Sequence, residues 1–192
     1  MPILFGTIAS SNQQARADTG VMFPLGAITV GSAGASSVTF NSIPSTYTHL
    51  QIRSMVRTNR AGQNFDTLAM RYNNDSGNNY MEYHELFGNG STVGGFAGNT
   101  SANRMIFDYF AGNNATANVF GVSVLDILDY SNTNKYKTFR NFAGADNNGS
   151  GAVAFGSGLW MSTSAITQIE LYGPNGNITQ YSQFALYGIK GA

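Results

Sequence analysis

The sequence contains no cysteine, and it is poor in proline, histidine and charge. Without cysteine there can be no disulfide, no thiolate metal site and no thiol nucleophile, and the redox compartment is left undetermined. Two histidines leave little for a metal centre, because a closed site needs three or four converging ligands. Charged residues make up 10% of the chain and cancel to a formal net charge of zero. A roughly 25% share is usual for soluble domains. A neutral, charge-poor chain has no electrostatic footprint for nucleic acid or for an anionic membrane surface. No apolar run approaches the ~20 residues of a membrane-spanning helix. The opening MPILFGTIASS has neither a basic lead nor a long apolar stretch, so no secretion signal is expected.

What is present is glycine, asparagine, serine and threonine, so polarity comes from amides and hydroxyls. Such a surface has little charge repulsion to hold it apart from neighbours, which favours life in an assembly. The 192 residues suffice for one sizeable core. From Leu25 onward the chain reads as strand after strand. Leu50, Ile52, Ser54 and Val56 alternate with Gln51, Arg53, Met55 and Arg57, and Leu68, Met70 and Tyr72 share a face in the same way. RMIFDYF and NVFGVSVLDIL are apolar on both faces, the pattern of central strands. In SAITQIELYG the expected inward set is Ala165, Thr167, Ile169 and Leu171. Clusters such as Asn73–Gly77, Gly88–Gly90 and Asp146–Gly149 punctuate the runs with residues that tolerate positive φ. The expectation is an all-β sandwich of jelly-roll topology spanning 25–192, with an immunoglobulin-like sandwich as second choice. Residues 1–24 read as an N-terminal arm. Its apolar tip, Pro2, Ile3, Leu4 and Phe5, is the candidate anchor to a neighbouring subunit; a disordered terminus is the competing reading.

The stretch LDILDYSNTNKYKTFR looks chemical but obeys strand parity. Asp126 and Asp129 are an odd number of residues apart and leave opposite faces, so no paired-carboxylate mechanism is built there. The expectation is a hairpin, with Asp129 accepting backbone N–H groups near the turn. By the same parity Glu82 and Glu85 diverge, whereas Glu82 and His84 share a face as a polar pair. Asp146 begins a run like a calcium loop, but the position that needs a glutamate holds Ser157. The Asn-x-Ser/Thr triplets carry no weight in so Asn-rich a chain. RYNNDSGNNY places Tyr72, Asp75, Asn78, Asn79 and Tyr80 together as a candidate carbohydrate loop, set against the plainer reading of a polar hairpin loop. Trp160 is expected to be a core or edge anchor rather than an exposed platform. No catalytic residue, metal ligand or cofactor is expected.

Several blocks, FNSIPSTYTHLQIRSMVRTNR, YNNDSGNNY, FGVSVLDILDYSNTNKYKTFR, SGLWMSTSAIT and QYSQFALYGIKGA, resemble in the same order a set of small proteins encoded by tailed bacteriophages, many from aquatic hosts. The resemblance spans most of the chain. It implies a non-enzymatic virion structural protein, made in the host bacterial cytoplasm and partnered by other capsid or tail proteins. Two placements follow: a capsid decoration or cement protein, expected as a homotrimer at a local three-fold axis, and a tail-fibre or receptor-binding module for host polysaccharide. A glycan hydrolase is a third, lesser expectation.

Overall fold

The computed structural model describes residues 21–191, and among these every regular element is a β-strand. Twelve strands form two antiparallel sheets packed face to face. β1 (Met22–Thr29), β12 (Gln183–Ile189), β3 (His49–Val56), β8 (Gly121–Ile127), β9 (Lys137–Asp146), β10 (Gly151–Trp160), β5 (Tyr80–Gly88) and β6 (Val93–Ala97) form the large sheet in that order. β2 (Ser37–Phe40), β11 (Ile169–Tyr172), β4 (Phe65–Tyr72) and β7 (Met105–Ala111) form the small one. Setting aside the β5–β6 and β9–β10 hairpins leaves β1-β12-β3-β8 facing β2-β11-β4-β7. That is the double Greek key of a jelly roll. The two hairpins are insertions that double the width of one sheet.

The core lies between the layers. Leu50, Ile52 and Val56 of β3, Leu125 and Ile127 of β8, and Phe184 and Leu186 of β12 meet Leu68, Met70, Phe107, Phe110, Ile169 and Leu171 of the small sheet. A fully buried side chain of this size contributes about 1.5–3 kcal/mol over its exposed state, so the period-two rows of β3 and β4 bring the two layers together.

Three expectations need correction. β1 begins at Met22, so Met22–Pro24 belong to the sandwich rather than to the arm. Pro24 is tolerated because β1 is an edge strand, and the register shifts beside it, between Pro24 and Gly26. β11 begins only at Ile169. Ahead of it the Thr167 and Gln168 amides donate to the Asn73 side chain and the Ile166 amide to the Tyr130 carbonyl, so no ladder forms and Ile166, not Thr167, turns inward. The third lies in β5. Its register against β10 shifts between Ser157 and Leu159, and this bulge reverses side-chain parity within β5. Glu82 and Glu85 are both buried, while His84 is exposed.

Candidate functional site: the outer face of the widened sheet

The small sheet covers one face of the large sheet; the other faces outward. On that face successive rows run across the strands. One row is Val124, Phe142, Phe155 and Leu86, each paired in register with the next. The row beside it is Val122, Gly144, Val153 and Gly88. Phe155 is 60% exposed, Val122 and Leu86 55%, Val153 50% and Phe142 47%, with Met55 and Val93 at the margins. Phe142 and Phe155 stack with ring centroids 4.6 Å apart and form a ridge. The glycine-bearing row leaves a shallow depression of about 730 Å³, lined by Val122, Phe142, Gly144, Val153 and the Gly88–Gly90 turn.

The local sequence explains why these residues are aligned. Asn148 and Gly149 both have positive φ, and the Asn147 amide donates to the Ser150 carbonyl. This tight Asn-Gly turn fixes the β9–β10 register without a bulge. A polar row borders the ridge: Gln51 Nε2 donates to Asp126 Oδ1 at 2.9 Å, and Arg140 Nε to Asp126 Oδ2 at 3.2 Å. His84 and Ser157 continue that border, paired in register.

The candidate carbohydrate loop is built differently from its sequence reading. Tyr72 and Tyr80 are fully buried, so neither ring is available as a platform for a sugar. They enclose Trp160, at centroid distances of 5.5 and 6.4 Å. Asp75 accepts the Trp160 indole N–H at 2.7 Å, the Asn79 amide at 3.0 Å and the Gly77 N–H at 2.8 Å. Burial pushes the Asp75 carboxyl up, but the bonds from Trp160, Asn79 and Gly77 outweigh it and hold the group below the usual range. Burial pushes both phenols well above theirs. Asn78 and Asn79 are exposed. The loop closes an aromatic core, and of the two anchoring roles open to Trp160, core or edge, the structure shows the core.

Several other charged side chains hold loops in place. The β8–β9 hairpin forms as expected, and Asp126 lies on the outer face. Asp129, however, takes Lys135 Nζ at 2.6 Å on its carboxylate as the lysine folds over the turn, and its own N–H donates to His49 Nδ1. Lys137 is buried, and its ammonium donates to the carbonyls of Asn132, Lys135 and Thr163 at 2.6, 2.7 and 3.1 Å. Arg57 donates to the carbonyls of Asn113, Ala115, Thr116 and Val119, pinning the loop ahead of β8. Asp66, buried, binds Arg60 at 3.1 Å and the Thr58 hydroxyl at 2.5 Å. Glu82 pairs with Arg104 at 3.3 Å and accepts both the backbone and side-chain N–H groups of Asn99. No group of three or more His, Cys, Asp or Glu side chains converges among the described residues.

Sequence reasoning missed the outer face. Its signal was visible in the two-sided apolar pattern of NVFGVSVLDIL, which was attributed to burial on both faces. Pro2, Ile3, Leu4 and Phe5 lie outside the described residues.

No family model matches the chain, and no curated protein does. Among solved structures, a legume lectin-like domain from Entamoeba histolytica is similar at 6% identity and a TM-score of 0.26, covering 88% of this chain and 89% of that one. Alginate lyase vAL-1 from Chlorella virus is similar at 7% identity and a TM-score of 0.26, over 86% and 84%. The VP2 subviral particle of infectious bursal disease virus is similar at 12% identity and a TM-score of 0.14, over 88% and 38%. At these scores the strand order, not the likeness, carries the fold assignment.

Proposed function

We propose that this chain is a non-enzymatic structural protein of a bacteriophage particle, a capsid decoration protein whose apolar outer face is an assembly surface. The observation that carries the reading is the contiguous ridge and trough of Val124, Phe142, Phe155, Leu86, Val122 and Val153, about half exposed. An exposed patch of this kind, rimmed by polar residues, marks a surface meant to be covered. Phe142, Val153, Phe155 and Leu86 stand on the two inserted hairpins, and Val122 and Val124 on the adjoining β8 of the jelly-roll frame. The ordered phage resemblance supplies the setting. The polar clusters support a structural role, since Asp66, Asp75, Glu82, Lys137 and Arg57 each hold backbone or partner side chains in place. Burial of Tyr72 and Tyr80 removes the motif that favoured a glycan-binding fibre module.

Gel densitometry of purified virions against the major capsid protein tests this. Decoration predicts a copy number comparable to that of the capsid protein. A few copies per particle would point to the tail, and absence from particles would overturn the reading.

A further inference from the structure

We propose that the outer face pairs with a second copy of this chain about a two-fold axis that runs across the strands, between the ridge and the trough. This rests on the reading of that face as an assembly surface and names its occupant.

The outward residues of β9 carry the complementarity. Arg140, Phe142, Gly144 and Asp146 follow one another at two-residue intervals on the exposed side. In order they are a cation, a large ring, a gap and an anion. A two-fold axis midway between Phe142 and Gly144, parallel to the rows, reverses the strand direction and turns the face over. Phe142 then lies over the second copy's Gly144, and Arg140 over the second copy's Asp146. Each relation occurs twice, as an isologous contact requires. On β5, Leu86 faces the second copy's Gly88 in the same way, whereas on the flanking β8 and β10 Val124 faces Val122 and Phe155 faces Val153, apolar side chain against apolar side chain. The spacing is adequate, because adjacent outward residues lie about 6.6–6.8 Å apart along a strand.

Charge and area agree with this pairing. The Asp146 carboxylate accepts the Asn148 amide, and no cation lies beside it among the described residues. The Arg140 side chain is 71% exposed and reaches Asp126 through Nε, which leaves its terminal nitrogens outward. The apolar rows present roughly 600 Å² when half-exposed side chains are taken against the full burial typical of them. With the polar border added, the face approaches the ~800 Å² per partner of a standard interface.

The experiment is sedimentation equilibrium of the purified full chain over a wide concentration range, with Phe142→Asp, Arg140→Glu and Asp146→Arg variants. The expected mass is twice that of the 20.5 kDa chain. Phe142→Asp should be monomeric with an unchanged strand spectrum, and its melting point should fall by what the lost pairing and the lost Phe155 stack contribute. Arg140→Glu and Asp146→Arg should each weaken the pair about tenfold, in the range of charge contacts across interfaces. Mixing these two single variants should restore a heterodimer of wild-type affinity, because each Arg140–Asp146 contact regains opposite charges. A monomeric wild type, a trimer, or a dimer indifferent to Phe142→Asp would overturn the proposal. So would a dimer lost on deleting residues 1–20, which would make that segment the occupant. A dimer absent from virions would instead overturn the decoration reading and leave the pairing intact.

Discussion

Replacing Lys137 by methionine isolates what a buried ammonium contributes to a fold otherwise poor in charge. The methionine keeps an unbranched apolar stem alongside the buried Phe139 two residues on, so packing changes little. What is lost is one cation and three donors, leaving the carbonyls of Asn132, Lys135 and Thr163 without them. Hydrogen bonds to charged groups contribute roughly 1.5–3 kcal/mol each. Some of that returns with the desolvation of the ammonium, which burial already pushes below its usual pKa, and some with water reaching the loop. A net loss of about 3 kcal/mol remains. For a domain of this size about 1 kcal/mol moves Tm by ~2–4 °C, so Tm should fall by about 6–12 °C. Equilibrium urea unfolding with an unchanged m-value gives the free energy directly. Lys137→Arg should not rescue it, because a planar guanidinium cannot direct three donors at carbonyls gathered round a compact ammonium. A methionine variant within about 1 kcal/mol of wild type would refute the reasoning, and would mean that the three carbonyls are satisfied without the lysine.

Asp75→Asn should weaken the Trp160 contact and flatten the acid limb of the stability curve. With the Asp75 pKa depressed on folding, its contribution is present above the usual carboxylate value and lost as pH falls through the folded one, which urea midpoints across that range would read. At the alkaline end, Tyr72 and Tyr80 are raised on folding, so stability is full below the ordinary phenol pKa and declines above it. Phenolate absorbance should show Tyr72 and Tyr80, and with them the buried Tyr130, titrating only as the chain unfolds; titration of all ten while strand structure persists would contradict their burial. Arg57→Ala frees four carbonyls and should raise amide exchange in the 113–119 loop well before the core responds, at a cost of about 2 kcal/mol. Equal protection in variant and wild type would show the clamp to be dispensable.

Alternation in β3 and β4 was legible because one face of each strand is buried and the period is two. The turns were legible because Asn and Gly sit where positive φ is needed, as at Asn148 and Gly149. The β5 parity was not, since a bulge depends on what β10 places opposite it. Nor was the role of Asp75, whose decisive partner, Trp160, lies 85 residues away. The tyrosines flanking Asp75 looked like a binding loop because a sugar platform and a core aromatic share one composition; only their burial separates the two. The outer face stayed hidden for a related reason. Apolar residues on both sides of a strand signal either two covering layers within the chain or one layer and a partner outside it.

The pairing of β12 between β1 and β3 has a consequence for timing. Both β1 and β3 must wait for residues 183–189 before the frame of the large sheet can close. The β9–β10 hairpin needs only a tight turn and can form as soon as residue 160 has left the ribosome. Local hairpins form in about 1–10 μs, whereas pairings between distant segments are slow. The strands that carry Phe142 and Phe155 can therefore pair before the scaffold that displays them has closed. The proposed pairing of two copies could then begin between neighbouring nascent chains before either has finished folding.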